Sequence, residues 1–216
     1  MIGYRLACLL AGYGFGLFQT SFIYGKLHGI DIREHGSGNA GTTNALRTLG
    51  AKAGLIVLLG DFFKCFIACL LTRLVFSHVA PEAGMLLMLY TGFGVGLGHI
   101  FPFYMHFKGG KGIAVSAGII VAFLKPWIIV ACLILFFGLL AITKYVSLCS
   151  ITLMFGMVIF YCIALFHGGF PIKEAYYGES IIVLSLYGIM AIYMHRANIG
   201  RLLRHEENKF SLHKKE

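Results

Sequence analysis

The sequence predicts an all-α integral membrane protein of seven transmembrane helices, its N-terminus outside, its C-terminus cytoplasmic and its active site on the cytoplasmic face. Three observations predict it. Of 216 residues, 58% are hydrophobic and only 12% are charged, about half the charged share of a soluble domain. Seven apolar runs follow one another, most of them near the ~20 residues needed to cross a bilayer. The basic residues segregate, falling mainly in the links after runs one, three and five and in the tail, which orients the chain by the positive-inside rule. The net charge of +9 therefore reads as membrane orientation and anionic partners. No basic face interleaved with stacking aromatics points to nucleic acid.

The first run, Gly3–Ile23, follows Arg5 and continues without a small-residue cleavage site, so it is read as a retained span. Run two, Ala53–Phe76, carries Asp61 and Lys64 three positions apart, close enough to pair on one face. Ionisable groups at that depth mark either a functional site or a structural ion pair. Run three, Ala83–Ile100, and run one contain the pairs Gly92/Gly96, Gly94/Gly98 and Gly12/Gly16, whose small-xxx-small spacing lets helices approach closely in lipid. Run four, Ile113–Leu124, is too short to cross upright. Runs Trp127–Ile142, Leu148–Phe166 and Ser180–Met194 complete the set. The six cysteines lie scattered in apolar sequence without metal-ligand spacing, so no metal and no cofactor is expected. Opposing the orientation are Arg5, Arg73, Lys125 and Lys173. They are outnumbered by residues such as Lys26, Arg33, Lys52, Lys144, Arg196, Lys209, Lys214 and Lys215 on the other side.

With seven crossings, four polar stretches fall on one membrane face: Gly36–Gly50, His99–Gly112, Thr143–Ser150 and His195–Lys209. In the first, GSGNAGTTNALRTLG, glycines Gly38 and Gly41 free backbone N–H groups to form an anion-binding nest beside Ser37 and Asn39. Asn44 or Thr43 is placed to cap a helix whose positive end faces the same anion, with Arg47 one turn on. The alternative is a polar interhelical loop with a capped helix start. In FKGGKG, Lys108 and Lys111 flank Gly109 and Gly110 ahead of Gly112, giving movable point charges around backbone that can approach a phosphate. Positive-inside anchoring accounts for part of that charge. Ser147 is either a helix cap or a hydrogen-bond donor. His195 and Asn198 share a helical face as the chain leaves the bilayer, as a site or as interfacial polarity. The sequence supplies no Ser-His-acid triad on this face and no His-x4-Asp pair of the common glycerolipid acyltransferases.

Together GSGNAGTTNALRTLG, GH-x-FP…FKGGKG, KYVSLCS and HRANIGRLL…ENKF resemble the bacterial acyl-phosphate:glycerol-3-phosphate acyltransferase family (PlsY) over almost the whole chain. The resemblance implies a single membrane acyltransferase domain over residues 1–216 in the bacterial cytoplasmic membrane. Acyl phosphate and glycerol 3-phosphate would be its substrates, lysophosphatidic acid its product, and membrane lipids its surroundings; a monomer suffices. Carried over by position, Ser37 and Arg47 fall in the first motif, Lys108, Gly109, Gly110 and Lys111 in the glycerol-3-phosphate motif, Ser147 in the third, and His195, Asn198 and Glu207 in the last. Cys65, Met105, His106, Val115 and His205–Glu206 depart from the family pattern and bear on local packing. Acyl phosphate is already activated, so such a protein needs to hold two phosphates together and align a hydroxyl. Arg47, Lys111, Ser37, Ser147, His195 and Asn198 are the catalytic candidates. Gly38, Asn39, Gly41, Thr43, Asn44, Lys108, Gly109, Gly110, Gly112 and Glu207 are the substrate-binding candidates. The hydroxyl proton goes either to the acyl phosphate or to His195; a covalent route through Ser37 lacks a base beside it in sequence. A small-anion transporter and an assembly factor are the rival classes.

Overall fold

The structure, a computed structural model, describes residues 1–210; Lys214 and Lys215, counted toward the expected cytoplasmic charge, lie outside them. Among the described residues every regular element is helical: α1 (Ile2–Gly16), α2 (Thr20–Leu27), α3 (Thr42–Leu49), α4 (Ala51–Val79), α5 (Gly84–Ile100), α6 (Ile113–Ala122), α7 (Pro126–Thr143), α8 (Val146–Phe166), α9 (Tyr177–Met194) and α10 (Arg196–Leu203). Among the described residues six stretches are long and apolar enough to cross a membrane: Ile2–Leu27, Ala51–Val79, Gly84–Met105, Pro126–Thr143, Val146–Phe166 and Glu174–Met194. Helix α6, the fourth expected span, has only 10 residues, about 15 Å of rise and half the hydrocarbon thickness.

Helix α5 is the hub. It packs on α1, α4, α6 and α9, and its glycines are what lets α1 lie against it. A methyl group at Gly94 would collide with the Leu9 carbonyl, and one at Gly98 with the Tyr13 carbonyl, while Gly12 and Gly16 face Thr91 and Val95 from the other side. Without side chains between them the two backbones interlock, which supplies in lipid the dispersion contact that the hydrophobic effect cannot.

The first span is broken between Gly16 and Thr20, which frees carbonyls inside the apolar layer. Each must find a donor, because no water is there to serve. Tyr104 donates to the Leu17 carbonyl at 2.7 Å. Lys64 Nζ donates to the Phe18 carbonyl at 2.6 Å and Gln19 Nε2 to that of Gly16 at 3.2 Å. Lys64 also meets Asp61 Oδ1 at 2.8 Å, and Thr20 donates to the same oxygen at 3.2 Å. The two ionisable residues of run two are thus an ion pair that stitches a broken helix, with both side chains buried.

At the other end of the bundle Arg5 pairs with Glu179 through two hydrogen bonds, and Tyr90 donates to the same carboxylate at 2.8 Å. This joins α1, α5 and α9 and neutralises the one basic residue of run one's leading edge.

Candidate active site

Helix α3, the last turn of α9 with α10, and the loop between α5 and α6 meet beside the start of α8 around a cavity of about 1100 Å³. Ser37, Gly38, Asn39, Gly41, Thr43, Asn44, Arg47, Lys111, Gly112, Ser147, His195, Asn198 and Glu207 all line it. Lys108, Gly109 and Gly110 do not. Lys108 is exposed and outside the cavity lining, so the movable charge expected of the FKGGKG stretch rests on Lys111 alone.

The Gly-Gly pair also has a different reason from the close phosphate approach expected of it. A methyl group at Gly109 would collide with the His99 carbonyl, and one at Gly110 with His99 Nε2. The two glycines let the loop fold back over His99, held by Gly109 N–H to the Ile100 carbonyl and Gly110 N–H to that of His99.

The first polar stretch is organised by Asn44, though not as a cap. Helix α3 begins at Thr42 with Gly41 as its N-cap and no side-chain cap. Asn44 is buried in the third helical position. It accepts from the Ser37 backbone N–H at 2.7 Å and donates to the carbonyls of Ile32 and His35 at 2.9 Å. Its amide is therefore spent on shaping the loop. Asp31 anchors the same loop: the Arg33 guanidinium at 2.7 Å holds its carboxyl down to about 2, and Arg33 reaches on to the Met105 carbonyl. Ser147 is not a cap either. Helix α8 begins at Val146 after Tyr145, and the Ser147 hydroxyl is buried without a hydrogen-bond partner among the described residues, as is that of Thr42. Both residues line the cavity. A buried hydroxyl left unpaired is costly, so these two read as donors awaiting a ligand.

Deeper in, Lys111 donates to Asn198 Oδ1, Asn198 Nδ2 donates to Glu207 Oε1 at 3.0 Å, and Arg201 Nε meets Glu207 Oε2 at 2.8 Å. The relay fixes the amide orientation of Asn198, since a lysine can only donate and a carboxylate only accept. Burial, reinforced by the like charges of Arg201 and Arg47 and opposed by Glu207, lowers the Lys111 ammonium to about 8. Three cations thus share the cavity with Glu207 and Asp61 as its carboxylates, and Asp61 is already held by Lys64. The site's own residues leave it short of negative charge.

His195 is buried against the same relay. Its Nδ1 lies 2.8 Å from the Ala191 carbonyl; a carbonyl only accepts, so Nδ1 carries the proton and Nε2 presents a lone pair. Burial, with the Lys111 charge adding to it, pushes the imidazole down to about 4. His195 is neutral at physiological pH.

Beyond the polar end the cavity continues as an apolar trough. Apolar residues of α4, α6 and α7 line it. From Leu140 to Ile129 on α7 the lining runs about 16 Å at 1.5 Å per residue. Leu58, Leu133 and Phe137 on its edges are half-exposed, so the trough opens sideways toward lipid. Sequence reasoning missed Thr42, His99 and Arg201 as site residues. Arg201 was within reach, because Asn198 and Arg201 on α10 continue the three-residue spacing that starts at His195, its N-cap. Thr42 and His99 carry no such signal. Among the described residues no three His, Cys, Asp or Glu side chains gather as a metal-ligand set.

Residues 6–205 match the family model described as glycerol-3-phosphate acyltransferase. The chain is 40% identical to the glycerol-3-phosphate acyltransferase of Bacillus subtilis over 93% of this chain and 95% of that one. It is 38% identical to the enzyme of the same name from Bacillus cytotoxicus over 96% of each. Among solved structures it superposes on PlsY (YgiH), an integral membrane glycerol 3-phosphate acyltransferase, in its glycerol 3-phosphate form with a TM-score of 0.81, 33% identity and 96% coverage of both chains. The lysophosphatidic acid form of that protein superposes with a TM-score of 0.79.

Proposed function

The chain belongs to the glycerol-3-phosphate acyltransferase family, and from that premise we propose that it moves a fatty acyl group from acyl phosphate to the 1-hydroxyl of sn-glycerol 3-phosphate. The products are lysophosphatidic acid and inorganic phosphate. One observation carries the reading: a single cavity joins a cation-rich end, with two orphan hydroxyls, to an apolar trough that opens toward lipid. The first end suits two phosphates and the second suits an acyl chain.

Residues 1–216 act as one polytopic domain, as a monomer, in the cytoplasmic membrane of a bacterium. Helix α6 makes the short fourth crossing of seven, the N-terminus lies outside and the C-terminus lies in the cytoplasm. The distribution of basic residues supports this orientation, and the pairing of Arg5 with Glu179 removes its main exception.

Arg47, Lys111 and Arg201 neutralise the two phosphate groups and suppress their repulsion. Thr42 and Ser147 donate their free hydroxyls, with Ser37 at the mouth, and Asn198 holds Lys111 in place. The glycerol oxygen attacks the acyl carbon and forms the ester bond; the bond from that carbon to the phosphate oxygen breaks, and phosphate leaves with the electron pair. His195 accepts a hydrogen bond from the attacking hydroxyl through Nε2 and aligns it. Its imidazole, at about 4, is a weaker base than a phosphate oxygen with a pKa of about 6, so the proton ends on the departing phosphate. The attack is direct: the Ser37 N–H is engaged by Asn44, and no side-chain base meets its hydroxyl among the described residues.

Purified protein given acyl phosphate and glycerol 3-phosphate should yield lysophosphatidic acid; no product would overturn the reading. A His195→Gln variant should lose about one to two orders of magnitude in kcat with its pH profile unchanged. Complete loss together with a flattened profile would instead assign the proton to His195, whose general-base role would carry about 10²–10⁴-fold.

A further inference from the structure

His99 sits at the end of α5 beneath the loop that carries Lys111, with 2% of its surface exposed. Its Nδ1 lies 3.0 Å from Lys64 Nζ and 3.7 Å from Asp61 Oδ1. Lys64, paired with Asp61 at 2.8 Å, is an ammonium and can only donate. Nδ1 is therefore the acceptor, and the single ring proton is on Nε2. That N–H has no partner among the described residues, and His99 is part of the wall of the cavity, one residue's distance through Gly110 from Lys111. The neighbouring loop completes the case. A methyl group at position 110 would lie against Nε2, so any side chain there would cover the N–H that glycine leaves without a side chain over it. Gln19 fixes the other half of the residue by donating to the His99 carbonyl at 2.9 Å.

We infer that His99 is a substrate-binding residue, its Nε2–H donating a hydrogen bond to glycerol 3-phosphate beside Lys111, and that Asp61 and Lys64 are positioning residues that hold it in that tautomer. The inference rests on the acyl-transfer reading of the cavity. The buried ion pair then serves twice, because the lysine that closes the broken first span also dictates which ring nitrogen faces the substrate. A neutral donor suits this place, since it adds a hydrogen bond without adding to the repulsion among Arg47, Lys111 and Arg201.

Two isosteres separate this role from packing. A glutamine amide nitrogen reproduces Nε2, and an asparagine amide oxygen reproduces the acceptor at Nδ1. His99→Gln should keep the KM for glycerol 3-phosphate within about threefold of the parent, while His99→Asn should raise it about tenfold or more, the size of one hydrogen bond to a charged group. Asparagine behaving like the parent, or both variants failing alike, would overturn the assignment. Because either variant can misfold, the unaltered protein provides a second test. With ¹⁵N-labelled histidine, the His99 signal should report a protonated Nε2 that shifts on titration with glycerol 3-phosphate. A protonated Nδ1, or no shift at saturation, would overturn it. A shift in protein that forms no lysophosphatidic acid would instead sink the acyl-transfer reading and leave the binding role standing.

Discussion

Two groups of charges lie within this bundle and follow opposite rules. Around Lys64 every charge is matched: Asp61 pairs with it, and Thr20, Gly16, Phe18 and His99 take up the pair's remaining valences. Around Lys111 two charges are left unmatched among the described residues: Glu207 is already paired with Arg201 at 2.8 Å, and Arg47 and Lys111 share the cavity with no carboxylate of their own. A matched cluster can be buried in the apolar layer because it asks nothing of a ligand. An unmatched one is tolerable only at the open end of a cavity, where an anion completes it. Depth alone therefore does not mark a site within a membrane bundle. The shortage of a partner does.

The largest expected effect should break the matched side. Lys64→Ala leaves Asp61 unpaired and the Phe18 carbonyl without a donor, a loss of about 3–5 kcal/mol for a broken buried pair. The measurement is thermal unfolding in detergent, and a native melting temperature would refute the account of the broken helix. Next comes the unmatched side. Lys111→Met should lower kcat/KM for glycerol 3-phosphate by about 10²–10³, as for loss of one preorganised electrostatic group, while leaving the protein as stable as the parent or more so. A stability loss there would mean that Lys111 belongs with Lys64.

The pH response sharpens the contrast. With its folded pKa of about 8 below the ordinary lysine value of 10.5, Lys111 binds fewer protons folded than unfolded between those values. Stability therefore rises with pH across that window, and holding the ammonium costs the fold below it. Substrate capture should move the opposite way: kcat/KM for glycerol 3-phosphate should decline above about pH 8 as the ammonium is lost, with the limb absent in Lys111→Met. The smallest effect belongs to Lys108. It is exposed and does not line the cavity, so Lys108→Ala should change turnover by less than about twofold, within the range of an ordinary surface substitution.

The four polar stretches were legible in the sequence as one site because seven expected crossings would place them on one face, and the cavity draws residues from all four. The roles inside them were not. Asn44, offered with Thr43 as a cap, ties a loop; Ser147, offered as a cap or a donor, is no cap; and Gly109 and Gly110, offered as a phosphate approach, make room for His99. Each of those roles depends on which group arrives from a distant segment, and local propensity carries no record of that. The break at residues 17–19 was invisible for the same reason, because the donors that make it tolerable come from positions 64 and 104.

By itself, then, the amino-acid order determined that this is a helical membrane protein with four basic, glycine- or histidine-bearing polar stretches and too few carboxylates to neutralise them. Those properties are sums over the chain: hydropathy, charge and spacing. Only the tertiary structure decided which cations go unpaired, which imidazole nitrogen faces the cavity and where the apolar trough opens. Such facts are differences between donors and acceptors that meet, and meeting requires segments far apart in sequence to be brought within a few ångströms by the packing of α1 on α5 and α6 on α4.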